Sequence, residues 1–444
     1  MSDLLHRIVN STLPVAVGSR GIEMIDGEGR SYIDASGGAA VTSVGHGHPD
    51  ILAALHRQLD QLAFAHSGFF TTEVAEQLAA RLVEDAPEGL RKVMLLSSGS
   101  EAVEAALKMA RQYYLERGEP QRRFVISRRQ SYHGATLGTL GVGRDDWRRE
   151  LFSPFLVAPH QIDPCYAYRF QRDGETEAQY AARAAQQLED LLIELGPDRV
   201  MAFIAETVVG TPLGAVTPAA GYFKRIREIC DRHGVLLIAD EVMCGMGRTG
   251  TLHACEQEGF APDLMPIAKG LGGGYQPIGA VLLSGKIFDA FAAGSGAFQH
   301  NQTYLAHPMP AAAALAVLET IRRDNLLGNV VAMGEKMRDA LIDRLGDHPQ
   351  VGNLRGRGLF RGIELVRDRA TKEPFEPSFK LSARIKQESM ARGLMISTST
   401  GTIDGKRGDH ILLAPPYIID EAGVARIVEG LGDAIDAAIK FSAR

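Results

Sequence analysis

The sequence predicts an α/β protein with a large domain built on a mostly parallel sheet and a smaller α/β domain. Three observations lead to this prediction. Between about residues 91 and 285, short β-branched and aliphatic runs alternate with segments of helical periodicity. These runs lack polar alternation, which is typical of parallel strands covered by helices on both faces. A second alternation of helices and strands occupies the chain from about residue 330 onward.

The first 50 residues are expected to form short strands and turns. A D-G pair begins the segment 26–29, between apolar runs at 22–25 and 31–34, which predicts a hairpin. From about residue 49 the apolar spacing becomes helical, and a second helix is predicted over 72–85. The strands predicted for the large sheet are 93–96, 124–126, 200–204, 235–238, 264–267 and 280–283, with helices near 100–117, 178–195, 219–233 and 306–324.

The remaining chain predicts the second unit, with helices near 328–346, 380–393 and 420–439 and strands at 359–365 and 411–413. We therefore expect residues 51–325 to form the large domain. Residues 1–50 and 326–444 are expected to form the smaller domain from both ends of the chain. A length of 444 residues is sufficient for such a division.

Composition and charge argue against several classes of protein. The formal net charge is −6 without a long run of one sign, so nucleic acid is not an expected partner. Apolar stretches such as 235–239 are far shorter than the ~20 residues of a membrane helix, and the first residues lack the apolar core of a signal peptide. Four cysteines without close spacing favour reduced thiols in a cytoplasmic protein. His46 and His48 alone do not predict a metal site.

Two polar clusters follow predicted strands, at the edge where open α/β sheets bind ligands. The cluster 97–101 precedes a helix, and Ser100 is predicted as its N-cap, which would leave backbone N–H groups for an anion. An ordinary capped turn is the alternative. The cluster 131–134 combines Tyr132 and His133, which could stack on a planar ligand. A turn with a half-buried tyrosine is the alternative there.

Two single residues stand at further strand ends. Asp240 ends the most apolar strand, where burial of a carboxylate is costly without a partner; a helix cap is the competing explanation. Lys269 directly follows an apolar strand and is backed by glycines. Desolvation there would lower its pKa and make it a nucleophile or base, whereas a solvated lysine is the alternative. Neither a phosphate loop nor a dinucleotide fingerprint is present.

These clusters, taken together, resemble the class III aminotransferases, the pyridoxal-phosphate enzymes of fold type I that include ω-transaminases and 4-aminobutyrate aminotransferase. The resemblance covers nearly the whole chain and implies a large domain with a mostly parallel seven-stranded sheet. It rests on the order and spacing of several short motifs. These are 26–34, 45–49, 98–101, 132–134, 238–242, 245–250, 268–270, 303–304 and 414–416.

The resemblance implies a role for each residue at the centre of the site. Lys269 is similar to the lysine that holds the cofactor aldehyde as a Schiff base and shuttles the proton. Asp240 is similar to the family's partner for the pyridine nitrogen, where a carboxylate favours the protonated ring. Val242 is implied on one face of the ring, and Tyr132 or His133 on the other.

The resemblance also implies how the phosphate is held. Ser98, Gly99 and Ser100 would offer donors at a helix N-terminus. Thr303 is similar to the threonine that the neighbouring subunit contributes, which implies a homodimer and allows a tetramer. Glu206 matches the family's active-site glutamate.

Two departures from the family pattern concern the neighbourhood of Glu206 and the substrate pocket, and one arginine is a candidate substrate ligand. The usual proline after Glu206 is Thr207. Ala40 stands nearest a position that often carries a bulky aromatic residue. Arg407, in the glycine-rich segment 401–408, is the candidate for the arginine that binds acceptor carboxylates.

The activity implied is transfer of an amino group from an amine or ω-amino acid to a 2-oxo acid, pyruvate or 2-oxoglutarate. An aminomutase or racemase on the same scaffold is the alternative. A catalytically silent binding protein is a further one, disfavoured by the presence of Lys269 and Asp240.

Overall fold

The computed structural model describes residues 3–9, 11–143 and 146–440. The central sheet has seven strands within these residues, of which six are parallel and one, Gly279–Ser284, is antiparallel to both neighbours. The α/β fold class, with its mostly parallel seven-stranded sheet, is confirmed. In spatial order the strands are Leu90–Leu96, Gly279–Ser284, Leu264–Ile267, Leu236–Asp240, Val200–Glu206, Phe124–Arg128 and His160–Ile162.

Six of these strands match the apolar runs of the sequence. Every residue of Val200–Glu206 and Leu236–Asp240 is buried, which explains the absence of polar alternation. The seventh strand, His160–Ile162, has only three residues, two of them polar, and therefore carries no periodic signal.

Along the chain, helices alternate with the strands of the central sheet, and further helices follow the last of these strands. The predicted helices are present, with ends displaced by a few residues. Longer helices of the described chain are Pro49–Gln61, Glu73–Glu84, Gly99–Glu116, Glu177–Leu195, Tyr222–His233, Gly285–Ala293, Pro308–Arg323, Leu326–Leu345, Leu381–Ala391 and Glu421–Lys440. Shorter ones are Leu137–Val142, Asp146–Phe152, Ala167–Phe170 and Cys255–Glu258.

Two four-stranded sheets form the rest of the molecule. One contains Ala16–Arg20, Glu23–Asp26, Ser31–Asp34 and Leu394–Met395. Its last strand pairs in parallel with Ser31–Asp34, so both ends of the chain build one smaller α/β unit, as expected. The other sheet contains Val351–Arg357, Phe360–Leu365, Asp409–Leu413 and Ser397–Thr400. The strands at 16–20, 351–357, 394–395 and 397–400 were not predicted, because their sequences contain no continuous apolar run of four or more residues.

The fold brings the polar strand ends together at one edge of the central sheet. Glu206 and Asp240 are direct partners in the parallel register of their strands. No helix within the described residues is long and apolar enough to cross a membrane. The same residues contain no group of three or more His, Cys, Asp or Glu that could hold a metal ion.

Candidate active site

A cavity of about 270 Å³ opens at the carboxyl edge of the central sheet. It collects the strand-end clusters that the sequence analysis singled out, together with residues from the loop after Lys269. The predicted residues along its wall are Ser98, Gly99, Ser100, Tyr132, His133, Glu206, Asp240, Val242 and Lys269.

One wall of this cavity is the N-terminus of the helix Gly99–Glu116. Ser98 is the N-cap, and its Oγ accepts a hydrogen bond of 3.2 Å from the backbone N–H of Glu101. The prediction that Ser100 caps this helix is wrong, because the helix begins at Gly99 and its N-cap lies two residues before Ser100. The Oγ of Ser100 instead accepts a hydrogen bond of 3.0 Å from the backbone N–H of Ala135.

A side chain cannot be placed at Gly99 without closing this part of the cavity. A Cβ at Gly99 would lie 2.7 Å from Cγ1 of Val242, and one at Gly134 would lie 2.9 Å from Oγ of Ser100. Gly134 also has a φ of +137°, which L side chains rarely adopt. The two glycines therefore keep backbone donors at a helix N-terminus open to an anion.

Asp240 is held at the opposite wall by His133. Its Oδ2 lies 2.7 Å from Nδ1 of His133, and its Oδ1 accepts a hydrogen bond of 3.0 Å from the backbone N–H of Val242. Asp240 is 4% exposed and the imidazole of His133 is fully buried. The chain after Asp240 forms turns rather than a helix, so the helix-cap explanation does not apply. The His133 Nε2 atom has no hydrogen-bond partner in the described residues.

Glu206 lies beside this pair and fixes two loops. Its Oε1 accepts from the backbone N–H of Tyr132 at 3.1 Å, and its Oε2 accepts from the backbone N–H of Gly210 at 2.8 Å. Burial raises the pKa of Glu206, and the charge of Asp240 adds to that shift while His133 opposes it. The carboxyl of Glu206 therefore links the segment that carries Tyr132 to the loop at Gly210, which follows the strand of Glu206 itself.

Glu241 is a buried carboxyl that the sequence analysis missed. Its Oε1 accepts a hydrogen bond of 2.6 Å from the hydroxyl of Thr207, the residue that departs from the family pattern. Its two oxygens also accept from the backbone N–H groups of Ala254 and Cys255. Burial raises the pKa of Glu241 to about 7. Its place directly after a buried strand end is the signal that could have found it.

Lys269 begins the turn after the strand Leu264–Ile267 and has a φ of +48°, in the left-handed region. Burial lowers the pKa of its amine, and the charges of Asp240 and Glu206 oppose that shift. A lysine with a lowered pKa has a larger fraction of free amine at neutral pH, which makes it a nucleophile and a base.

A second cavity of about 380 Å³ shares Lys269, Tyr132 and Thr211 with the first. Its wall is formed by the hydroxyl-bearing strand Ser397–Thr400 and by residues from several other parts of the chain. These further residues are Arg7, Ala39, Gln130, Pro212, Gly401 and Gly405.

The remaining predicted site residues lie outside both cavities of this chain. Ala40 is buried, while its neighbours Ala39 and Val41 line one cavity each. Arg407 is 55% exposed, and its Nε donates to Oδ2 of Asp404 at 2.8 Å. Thr303 is exposed on the segment before the helix Pro308–Arg323.

The residues of the first cavity fit pyridoxal phosphate. An anion site at a helix N-terminus, a buried carboxylate and a lysine of lowered pKa line one cavity, and these are the partners that a phosphate, a pyridine nitrogen and an aldehyde require. Ser98, Gly99 and Ser100 would hold the phosphate, Asp240 the ring nitrogen and Lys269 the aldehyde. Val242 and Tyr132 line the space between these groups.

Comparison with known proteins defines the class. A family model described as aminotransferase class-III matches residues 7–435. The chain belongs to the class-III aminotransferases, so the resemblance noted in its sequence is confirmed. It is accordingly an enzyme of pyridoxal-phosphate-dependent transamination, and the cofactor expected from the sequence is confirmed.

Individual relatives are similar over most of their length. An uncharacterized aminotransferase of Schizosaccharomyces pombe is 43% identical over 437 residues, which cover 98% of this chain and 95% of that protein. Gamma aminobutyrate transaminase 3 of Solanum lycopersicum is 34% identical, over 94% of this chain and 79% of its own. The crystal structure of an amine transaminase from an uncultivated Pseudomonas species, in a PLP-bound form, has a TM-score of 0.93 at 34% identity and covers 99% of each chain.

Proposed function

We propose that this aminotransferase moves the amino group of an amine or ω-amino acid to a 2-oxo acid, pyruvate or 2-oxoglutarate. The observation that carries the proposal is the position of Lys269, which lines both the cavity that fits the cofactor and the cavity beside it. The amine of Lys269 can therefore reach both the cofactor in the first cavity and the substrate in the second. The names of the gamma aminobutyrate and amine transaminases support an ω-amino acid or amine as donor.

The residues of the first cavity each have a role in this proposal. Bound pyridoxal phosphate supplies the electron sink for the carbanion that forms at the substrate carbon. Asp240 would keep a proton on the ring nitrogen, and His133, 2.7 Å away, positions that carboxylate. Val242 and Tyr132, which line the same cavity, would lie beside the ring.

Lys269 carries the proton in this scheme. With the cofactor bound, its free amine would take the proton from the substrate carbon and deliver it to the cofactor. The amine can do this because burial lowers its pKa, so that it is not held in the ammonium form. Glu206 acts through Tyr132, whose backbone N–H it accepts, and is a positioning residue.

The second subunit is also part of the proposal. Thr303 is exposed in this chain, and Phe69 and Phe70 are 82% and 71% exposed. Large exposed aromatic side chains mark surfaces that another protein covers. We propose a homodimer, or a tetramer of such dimers, in which Thr303 binds the phosphate held by the neighbouring chain. Arg407 as a carboxylate ligand and Ala40 as a pocket residue stay predictions.

We also propose the limits of the two domains and a cellular location. The pairing of Leu394–Met395 with Ser31–Asp34 supports the limits 1–50 and 326–444 for the smaller domain and 51–325 for the cofactor-binding domain. Four free, buried cysteines support a cytoplasmic location.

Transfer of a labelled amino group tests the proposed reaction. The purified holoenzyme is given ¹⁵N-labelled 4-aminobutyrate or an arylalkylamine, with pyruvate or 2-oxoglutarate. We expect ¹⁵N in alanine or glutamate, in amounts equal to the donor consumed, and none with Lys269→Ala. Conversion of the donor without any 2-oxo acid, with the label retained, would instead identify an aminomutase or racemase.

A further inference from the structure

A short loop, residues 210–214, lies where the two cavities that share Lys269 meet. Thr211 lines both cavities, and Pro212 lines the second. The loop comes after the strand Val200–Glu206 of the central sheet. Its position therefore determines part of the wall against which a substrate has to fit beside Lys269.

The base of this loop is held by residues close to it in the chain. Val209 and Val216 exchange two backbone hydrogen bonds, of 2.9 and 3.2 Å, and so close the loop. The backbone N–H of Gly210 donates to Oε2 of Glu206 at 2.8 Å, and the backbone N–H of Gly214 donates to the carbonyl oxygen of Gly210 at 2.8 Å. These bonds fix the two ends of the loop but do not reach the carbonyl groups between them.

The other side of the loop is held by the second four-stranded sheet, which belongs to the C-terminal part of the chain. Nε2 of His410 lies 2.8 Å from the carbonyl oxygen of Thr211. Arg355 donates through Nε to the carbonyl oxygen of Gly214 at 2.7 Å, and through a second nitrogen to that of Leu213. The sheet therefore binds the carbonyl groups of three loop residues, and His410 binds the one that lies at the junction of the cavities.

The chemistry of His410 is that of a fixed neutral donor. A carbonyl oxygen only accepts, so Nε2 carries the proton of the ring. Burial lowers the pKa of His410 to about 3, and the charge of Arg355 adds to that shift while the bond to Thr211 opposes it. The ring also packs directly against the loop, since a Cβ at Gly214 would lie 2.5 Å from its Cδ2. His410 therefore offers the loop one N–H donor and a contact face, and no charge at neutral pH.

We infer, on the basis of the proposed function, that His410 is a positioning residue that limits the size of substrate the enzyme accepts, because it holds Thr211 at the junction of the two cavities. His410 lines neither cavity, so it acts through the loop. Without the donor, the carbonyl group of Thr211 would have to turn toward another partner, and this wall would yield to a larger side chain. Ser98 and Asp240, which would hold the cofactor, lie on other segments and should be unaffected.

Three variants of the holoenzyme test this role: His410→Leu, His410→Gln and, as the control, Tyr114→Phe. The leucine removes the N–H donor, and the glutamine retains one. Tyr114 is also buried, and its hydroxyl donates to the carbonyl oxygen of Gly234 at 2.6 Å. Neither of these two residues lines a cavity that contains Lys269, so the control removes the same kind of bond at a distance from the substrate.

The quantity measured is the ratio of kcat/KM for two 2-oxo acids of different size, pyruvate and 4-phenyl-2-oxobutanoate, with one amine donor. Such a ratio does not depend on the fraction of enzyme that is correctly folded. We expect His410→Leu to shift it at least about fivefold toward the larger acid, which corresponds to about 1 kcal/mol. His410→Gln should stay within about twofold of wild type. Tyr114→Phe should lower the melting temperature and leave the ratio unchanged.

Hydrogen exchange of the cofactor-free protein gives a readout that does not depend on turnover. We expect peptides that cover residues 207–216 to exchange faster in His410→Leu than in wild type, in His410→Gln or in Tyr114→Phe. The inference is overturned if His410→Leu leaves either the ratio or this exchange unchanged, if it lowers kcat/KM equally for both acids, or if His410→Gln shifts the ratio as far as His410→Leu. Failure of the proposed function is a separate result, namely a wild-type holoenzyme that transfers no amino group to any 2-oxo acid, whereas the exchange still reports whether His410 holds the loop.

Discussion

The two cavities that meet at Lys269 are built in opposite ways. In the first, Asp240, Glu206 and His133 are buried and residues from different strand ends support one another, as His133 supports Asp240 and as Glu206 supports Tyr132. In the second, the wall is an edge strand of hydroxyl residues, a glycine-rich loop and Arg7 from the segment before the first strand. Few residues of the first cavity can therefore be substituted without loss of catalytic activity.

This difference suggests that the first cavity carries out the reaction and that the second determines which substrates bind. A buried carboxylate or lysine must be supported from several sides, because an unsupported charge in the interior is costly. Hydroxyls and exposed arginines are free of that constraint, so they can vary with the substrate at small cost to the fold. We therefore expect substitutions in the first cavity to remove activity and those in the second to alter substrate choice.

The largest effect is expected from Lys269→Ala. The variant loses both the nucleophile and the proton carrier, so turnover should fall by at least about 10⁴-fold. The fold should persist, because Lys269 projects into a cavity rather than into the core. Turnover is measured with the best donor and acceptor, and Lys406→Ala, at a lysine that is 67% exposed, serves as the control. Turnover within tenfold of wild type would remove Lys269 from the mechanism.

Asp240→Asn should have the next largest effect. An amide cannot stabilise a protonated ring nitrogen, and a pKa change of about 2 units corresponds to about 2.7 kcal/mol, so we expect a loss of at least about a hundredfold in the single-turnover rate. Asp263→Asn is the matched control. Asp263 is also buried, but it bonds to the backbone of Leu237 and to Arg227 outside the cavity. That variant should lower the melting temperature and leave the rate nearly unchanged. The reverse pattern would make Asp240 a structural residue.

The chemical half of the site was predictable from sequence because it lies at strand ends. Asp240 and Lys269 directly follow apolar runs, and a parallel sheet places such ends together. The substrate half was less predictable. Ser397–Thr400 is a polar edge strand without an apolar period, and Arg7 reaches the cavity only through the course of the N-terminal segment. Arg407 has the expected residue type in a glycine-rich loop, but its bond to Asp404 cannot be read from composition.

The pH dependence of Lys269 gives a smaller, signed test of the first cavity. Burial lowers its pKa from 10.5, and Asp240 and Glu206 oppose that shift. Only the free amine is nucleophilic, so in cofactor-free protein Lys269 should reach half-maximal labelling by an acylating reagent below pH 10.5. Asp240→Asn removes a charge that raises this pKa, and the midpoint should move to still lower pH. Peptide mass spectrometry measures the labelling, and a midpoint that rises in the variant would contradict the arrangement.

The smallest effect is expected from Arg407→Ala. Its partner Asp404 and its exposure of 55% make this an exposed ion pair, which contributes little to stability. If Arg407 binds the acceptor carboxylate as predicted, its side chain leaves Asp404 when substrate binds, and Arg407→Ala should raise the KM for 2-oxo acids but not for an uncharged acceptor. KM values within about twofold of wild type for both kinds of acceptor would show that the carboxylate is held elsewhere.

The central claim is that Lys269 is the amine that serves both cavities, and chemical trapping tests it most directly. Borohydride converts the bond between a lysine and the cofactor carbonyl into a stable secondary amine, which peptide mass spectrometry can locate. We expect a single modified lysine, Lys269, in the reduced holoenzyme. A large excess of amine donor added before reduction should release the cofactor from Lys269 and decrease that modification. Cofactor trapped on any other lysine, or a yield at Lys269 that the donor does not change, would contradict the account.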